Sequence, residues 1–174
     1  ILKDGVVIEG HGIIQPKVGI DLKEAEKNGF EIVPTFKSIY GGYKYPNTNC
    51  GGKWESTNPK AEQEAMAEKN RSSNGLLYDT CRHIRYIRDN YFSSYHLSGI
   101  VIDSFVYEAI GNWRWLNSGE SSSSPSGTYE QVLLNYYNQH GICYGVSINA
   151  PGSNDTVSTA SSYECLGKVL RYMI

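Results

Sequence analysis

Strand signals before residue 58 and helical signals after it predict an α+β chain. The short β-branched runs Val6-Val7-Ile8 and Ile32-Val33 stand among glycines, proline and charges, as strands do. From Asn58-Pro59 onward, apolar residues recur at helical spacing, and residues 99–110 form one apolar run too long for a typical strand. The expected division is a strand-bearing part over 1–57 and a mainly helical domain over 58–174.

The elements follow in chain order. Residues 5–10 read as a strand, and so short a strand needs neighbours to be stable. The sequence is therefore expected to be part of a longer chain. Residues 23–28 are charged, a single helical turn or a loop, ended by Gly29. Residues 30–34 read as a strand with Ile32 facing opposite to Glu31 and Val33. Pro34 closes it, because proline cannot donate to a ladder. Residues 37–54, rich in Gly, Tyr, Asn and Pro, are a long ordered loop or a loose hairpin.

Asn58 caps the first helix with Pro59 at its first position, and Glu62 and Glu64 suit its positive end. That helix is expected to run to about Asn70. Asn74 or Gly75 opens the next, with Leu77, Cys81, Ile84 and Tyr91 along one face. Arg82, Arg85 and Arg88, three apart, fall on another face. Residues 99–110 form a buried helix, their length deciding against a strand. Residues 118–127 are a Ser-rich, mobile loop. Thr128 caps a helix over 129–140. Residues 149–154 are a turn cluster. Ser161 or Ser162 opens a last helix, expected still to be running at Ile174.

Composition narrows the function classes. At 174 residues the chain suits one domain or the larger part of one. A net charge of −2 argues against a grip on nucleic acid through bulk positive charge, so stable nucleic-acid binding is not expected. No apolar run approaches the ~20 residues a membrane-crossing helix needs. Asp4 and Glu9 interrupt any reading of residues 1–12 as a signal peptide. The four cysteines, Cys50, Cys81, Cys143 and Cys165, are scattered singly, against a zinc ribbon and in favour of reduced thiols in a cytoplasm. Fourteen tyrosines are half-buried rings or base-stacking platforms, and composition does not choose.

Four stretches carry more. They are Phe30-Glu31-Ile32-Val33-Pro34; Tyr45-Pro46-Asn47 with Gly51-Gly52-Lys53-Trp54 and Asn58-Pro59; Asn74-Gly75 through Cys81-Arg82-His83-Ile84-Arg85 to Ser98-Gly99-Ile100-Val101-Ile102-Asp103-Ser104; and Ala150-Pro151-Gly152-Ser153-Asn154. Singly each is an ordinary turn, helix or strand end. In this order, from about residue 30 to 172, they resemble the carboxyl-terminal two-thirds of the bacterial CD-NTases, the cGAS/DncV-like nucleotidyltransferases that make cyclic oligonucleotides. The resemblance implies a remnant of a polymerase-β-like nucleotidyltransferase sheet over 1–57, then a helical nucleotide-binding domain over 58–174. One part of the pattern is unmatched: nothing between Ile1 and Phe30 fits its Gly-Ser turn and Asp-x-Asp pair.

That resemblance implies a chemistry. A ribose hydroxyl attacks the α-phosphate of a nucleoside triphosphate, pyrophosphate leaves, and Mg2+ in the complete enzyme eases charge on both oxygens. Glu31 falls where the family has its third carboxylate, catalytic and metal-binding. Its plainer reading is a charged residue on the solvent face of an edge strand. Arg85 and Arg82 are implied to meet triphosphate oxygens through their planar forks of donors. Against this, Asp89 lies four residues beyond Arg85 and suits an ordinary surface pair.

Ser104 aligns with a polar position near the nucleotide, or back-bonds to its own helix. Ser153 and Asn154 reach a nucleobase edge, or simply make a tight turn. Trp54 and Tyr45 read as core or lid residues rather than stacking platforms, and His83 and His96 suggest no metal site. The implied partners are nucleoside triphosphates and an activating protein. The expected function is part of an antiphage cyclic di- or trinucleotide synthase, inactive as these 174 residues. The alternative is a non-catalytic nucleotide- or protein-binding module derived from that fold.

Overall fold

A computed structural model describes residues 35–39, 42–47, 53–121 and 128–174. The strands expected over 5–10 and 30–34, and the charged segment 23–28, lie outside the described residues. The described elements make an α+β chain with two small antiparallel sheets and five helices. Two compact units divide it, Ile1–Pro59 and Lys60–Ile174.

In the first unit, β1 (Phe36–Lys37), β2 (Tyr43–Asn47) and β3 (Lys53–Thr57) form an antiparallel sheet in that order. The loose-hairpin expectation for 37–54 is met by β2 and β3, with Tyr45 opposite Glu55 and Pro46 opposite Trp54. Tyr45 donates its hydroxyl to Glu55 Oε2 at 2.7 Å. Among the described residues β1 pairs only with Tyr43 and Lys44, and Pro46 pairs only with Trp54 of β3. Trp54 is not a core residue: it is 56% exposed, its ring edge-on to Phe36 at 5.3 Å.

The second unit holds α1 (Pro59–Ser72) from its second residue onward, with α2 (Leu76–Tyr91), α3 (Gly99–Ala109), α4 (Tyr129–Gln139) and α5 (Tyr163–Tyr172). A 3-10 turn (Ile142–Tyr144) and the ribbon of β4 (Ile148–Asn149) and β5 (Thr156–Val157) join α4 to α5. Local chemistry sets the starts. Pro59 opens α1, and Thr128 Oγ1 accepts from Gln131 N at 3.2 Å at the head of α4. Gly75, at φ 92°, turns the chain between α1 and α2.

The apolar run of α3 lies at the centre, with Val101, Ile102, Phe105 and Val106 all buried. Leu77, Cys81 and Ile84 from α2 and Leu166, Val169 and Leu170 from α5 join the same core. Burying each such aliphatic side chain stabilises the fold by roughly 1.5–3 kcal/mol. Tyr91 does not join it; it is exposed, its ring 4.6 Å from that of Tyr172, and Ile87 takes the next core position of α2. In α5, Gly167 lets Tyr137 come close, since a Cβ there would sit 2.5 Å from the tyrosine hydroxyl. That hydroxyl donates to Tyr163 O at 2.9 Å. Helix α5 ends at Tyr172, short of the expected Ile174. No described helix is long and apolar enough to cross a membrane.

Candidate functional site

The three arginines of α2 share a face by sequence, but the fold gives each a different role. Arg82 stays on the exposed rim, paired with Asp79 one turn earlier. Asp79 also accepts from Trp115 Nε1 at 2.8 Å, and these two donors, Trp115 foremost, hold its carboxyl below the usual aspartate range. Arg88 is engaged along two edges, Nε donating to Asp89 Oδ1 at 2.7 Å and Nη1 to Leu97 O at 2.9 Å.

Arg85 alone crosses to α3. Its Nη2 donates to both Asp103 oxygens, at 2.7 and 2.8 Å, and approaches Gly99 O at 3.4 Å. The pair is partly covered, the two side chains 33% and 30% exposed. Burial works against the guanidinium charge, but Asp103 outweighs it and holds Arg85 above the usual arginine range. The thiol of Cys81 lies beside the pair, pushed up to about 12 chiefly by burial and then by Asp103. The alternative partner, Asp89, belongs instead to Arg88, whose hydrogen bond is the main reason its carboxyl lies below the usual range.

Ser104, next along α3, is fully buried, and its Oγ has no hydrogen-bond partner. It therefore does not back-bond to its helix. A buried hydroxyl left so costs about 1–3 kcal/mol.

Ser153 and Asn154 sit elsewhere in the unit. Their turn follows β4 and docks on the first turns of α1, where Ser153 Oγ donates to Glu62 Oε1 at 3.1 Å. Burial raises the Glu62 carboxyl above its ordinary value, the Ser153 bond draws it part-way back, and Asp155 adds to the rise. Asn154 adopts φ 56°, a left-handed conformation asparagine tolerates. Among the described residues no hydrogen bond or ion pair links Ser153 or Asn154 to Arg85. Glu31, with its expected catalytic and metal-binding role, lies outside the described residues.

Comparison with known proteins bears on this arrangement. Residues 18–70 match the family described as the Second Messenger Oligonucleotide or Dinucleotide Synthetase domain. A protein named Probable cyclic nucleotide synthase, from Bacillus cereus strain VD146, is 28% identical over 156 residues, covering 80% of this chain and 46% of the relative. These findings support a bacterial CD-NTase-type protein.

A solved structure of the Elizabethkingia meningoseptica CdnE cyclic dinucleotide synthase with GTP and Apcpp is similar with a TM-score of 0.48 and 16% identity, covering 81% of this chain and 53% of that one. The chain spans less than half the length of the curated relative it matches. Nucleotidyltransferases generally use a divalent metal. Among the described residues no three His, Cys, Asp or Glu side chains gather where they could hold one.

Sequence reasoning misses two residues. Asp103 carries a signal: a carboxylate in the middle of an apolar helix must find a partner or open water. Glu62 stands out in sequence only for its place near a helix start, and its seat under the 150–155 turn has no sequence signal.

Proposed function

We propose that this CD-NTase-type chain supplies Glu31 as a catalytic carboxylate and a helical nucleotide-facing half to an enzyme that joins nucleoside triphosphates into a cyclic di- or trinucleotide. The observation that carries this is Arg85. Of the three arginines on α2, it alone is held at a seam between two helices, by Nη2 only, where the family resemblance expects a basic residue toward the nucleotide. In the reaction a ribose hydroxyl attacks the α-phosphate, the new P–O bond forms as the bond to pyrophosphate breaks, and the hydroxyl proton passes to solvent water. Arg85 would bind and orient the triphosphate oxygens. Arg82, on the exposed rim, would add longer-range attraction, and Ser153 and Asn154 would meet a base edge. Mg2+ is the cation this reading implies, and no described residue is assigned to it.

The match of residues 18–70 to a domain described as an oligonucleotide or dinucleotide synthetase supports nucleoside triphosphates as the substrate class. We extend the reading to antiphage signalling in the cytoplasm, with a protein activator as a further partner, on the family resemblance alone.

The test is calorimetry of the 174-residue chain with ATP and with GTP, beside Arg85→Ala. Binding of at least one nucleotide is expected, weakened about tenfold or more in the variant, the scale of one charge-assisted contact. Silence with both nucleotides, or equal affinity in the variant, overturns the reading. Incubated with Mg2+ and labelled triphosphates, the same 174 residues are expected to give no steady product, since they hold no Asp-x-Asp pair.

A further inference from the structure

We propose that Asp103 is a positioning residue for phosphate recognition, holding Arg85 by one nitrogen so that the rest of its fork stays open to an anion. The proposal rests on the reading of Arg85 given above. Both Asp103 oxygens meet the same Nη2, and the weaker contact to Gly99 O uses it too. Every hydrogen bond to oxygen that the guanidinium makes among the described residues leaves from that nitrogen. Its other polar neighbour is the Cys81 thiol, a weak acceptor that stays neutral. Nη1 and Nε are therefore left for a second oxygen partner. Arg88 offers a contrast, since Asp89 and Leu97 O take two of its edges.

Asp103 is itself well anchored. Its helix neighbours Ile102 and Ser104 are fully buried, and Phe105 is at the centre of the core. A carboxylate fixed to so rigid a helix fixes the guanidinium in turn. Free, the long arginine side chain would lose much of its rotamer freedom on binding. Held by Asp103, it has lost most of that freedom before a ligand arrives. The opposing effect is electrostatic. Asp103 also cancels positive charge, so its removal strengthens the local attraction for phosphate. The two effects predict opposite signs, which makes the idea testable.

The experiment is calorimetry of the 174-residue chain with ATP and with inorganic triphosphate, for wild type, Asp103→Asn, Asp103→Glu and Arg85→Ala. Asp103→Asn is expected to weaken both ligands about tenfold, the effect of one misdirected charge-assisted bond. Its melting temperature should stay within a few degrees of wild type. In wild type, inorganic triphosphate should shift the Arg85 Nε resonance, and in Asp103→Asn it should shift it less, a change a merely structural role does not produce. Asp103→Glu keeps the charge but moves the carboxylate by one methylene, and should fall between the two. It decides the matter if the asparagine variant does not fold: unchanged or tighter binding in it overturns the proposal. The same result in a folded Asp103→Asn also overturns it, and leaves the Arg85 reading standing if Arg85→Ala still loses affinity. Failure of wild type to bind, or an Arg85→Ala variant that binds as wild type does, removes that reading and the positioning role together.

Discussion

Replacing Gly152 by alanine should detach the Pro151-Gly152-Ser153-Asn154 turn from α1, and the size of the effect follows from two separable contributions. Gly152 has φ +70°, where an alanine is strained by about 1–2 kcal/mol. The new Cβ would also lie 2.5 Å from Ala61 O and 2.9 Å from Ala65 Cβ. The first of these is helix backbone, which cannot give way without moving α1, so the turn must lift. Overpacking of this kind costs about 1–3 kcal/mol. Lifting the turn also breaks the bond from Ser153 to Glu62.

The total expected for Gly152→Ala is about 2–5 kcal/mol. Gly111 provides the control, with φ +55° and nothing within 4 Å of where its Cβ would stand, so Gly111→Ala should show the strain alone. Urea unfolding followed by far-UV circular dichroism measures both. With a urea dependence of about 1–3 kcal/mol per molar, the Gly152 variant should unfold about 1 M or more below wild type. A Gly152→Ala variant no less stable than Gly111→Ala would refute the docked turn.

Local chemistry is legible in the sequence, and tertiary choice is not. Asn58-Pro59 and Thr128 announce helix starts because capping and proline placement act within a few residues. The run from Gly99 announces a buried helix because hardly any polar face interrupts it. Arg85 shows where such reading stops. Asp89 is the nearest carboxylate beyond it along the helix, yet Asp103 of another helix wins, because α3 packs against α2 and Arg88 lies next to Asp89.

Tyr91 shows the same limit at a helix end. Its spacing suits the core face, but it is the last residue of α2 and packs on Tyr172 instead. Pro151-Gly152-Ser153-Asn154 is plainly a turn. That it sits on α1, with Ser153 bonded to Glu62, depends on an approach between segments some ninety residues apart. Of the candidate site, the residue types on α2 and α3 are therefore readable, and their partners are not.

Ser104→Ala should raise the free energy of unfolding by about 1 kcal/mol in urea titrations, because it removes a buried hydroxyl that lacks a partner. A loss of more than that amount would mean the hydroxyl is satisfied in the native protein. The Glu62 carboxyl gives the pH prediction, and its sign follows from the direction of its shift. Folding raises it above 4.5, through burial and, secondarily, Asp155, against the pull of the Ser153 hydrogen bond. The folded state therefore holds the proton more tightly than the unfolded state does. By linkage, the stability due to Glu62 is fully present below pH 4.5 and declines as pH rises through the folded value. Glu62→Gln keeps an acceptor for Ser153 but cannot ionise, so it should lack this decline. Wild-type stability minus that of the variant should thus fall as pH rises above 4.5 through the folded value and level off beyond it. A difference that instead grows with pH across this range would mean that Ser153 stabilises the ionised carboxylate more than burial and Asp155 oppose it, reversing the electrostatic account of the docked turn.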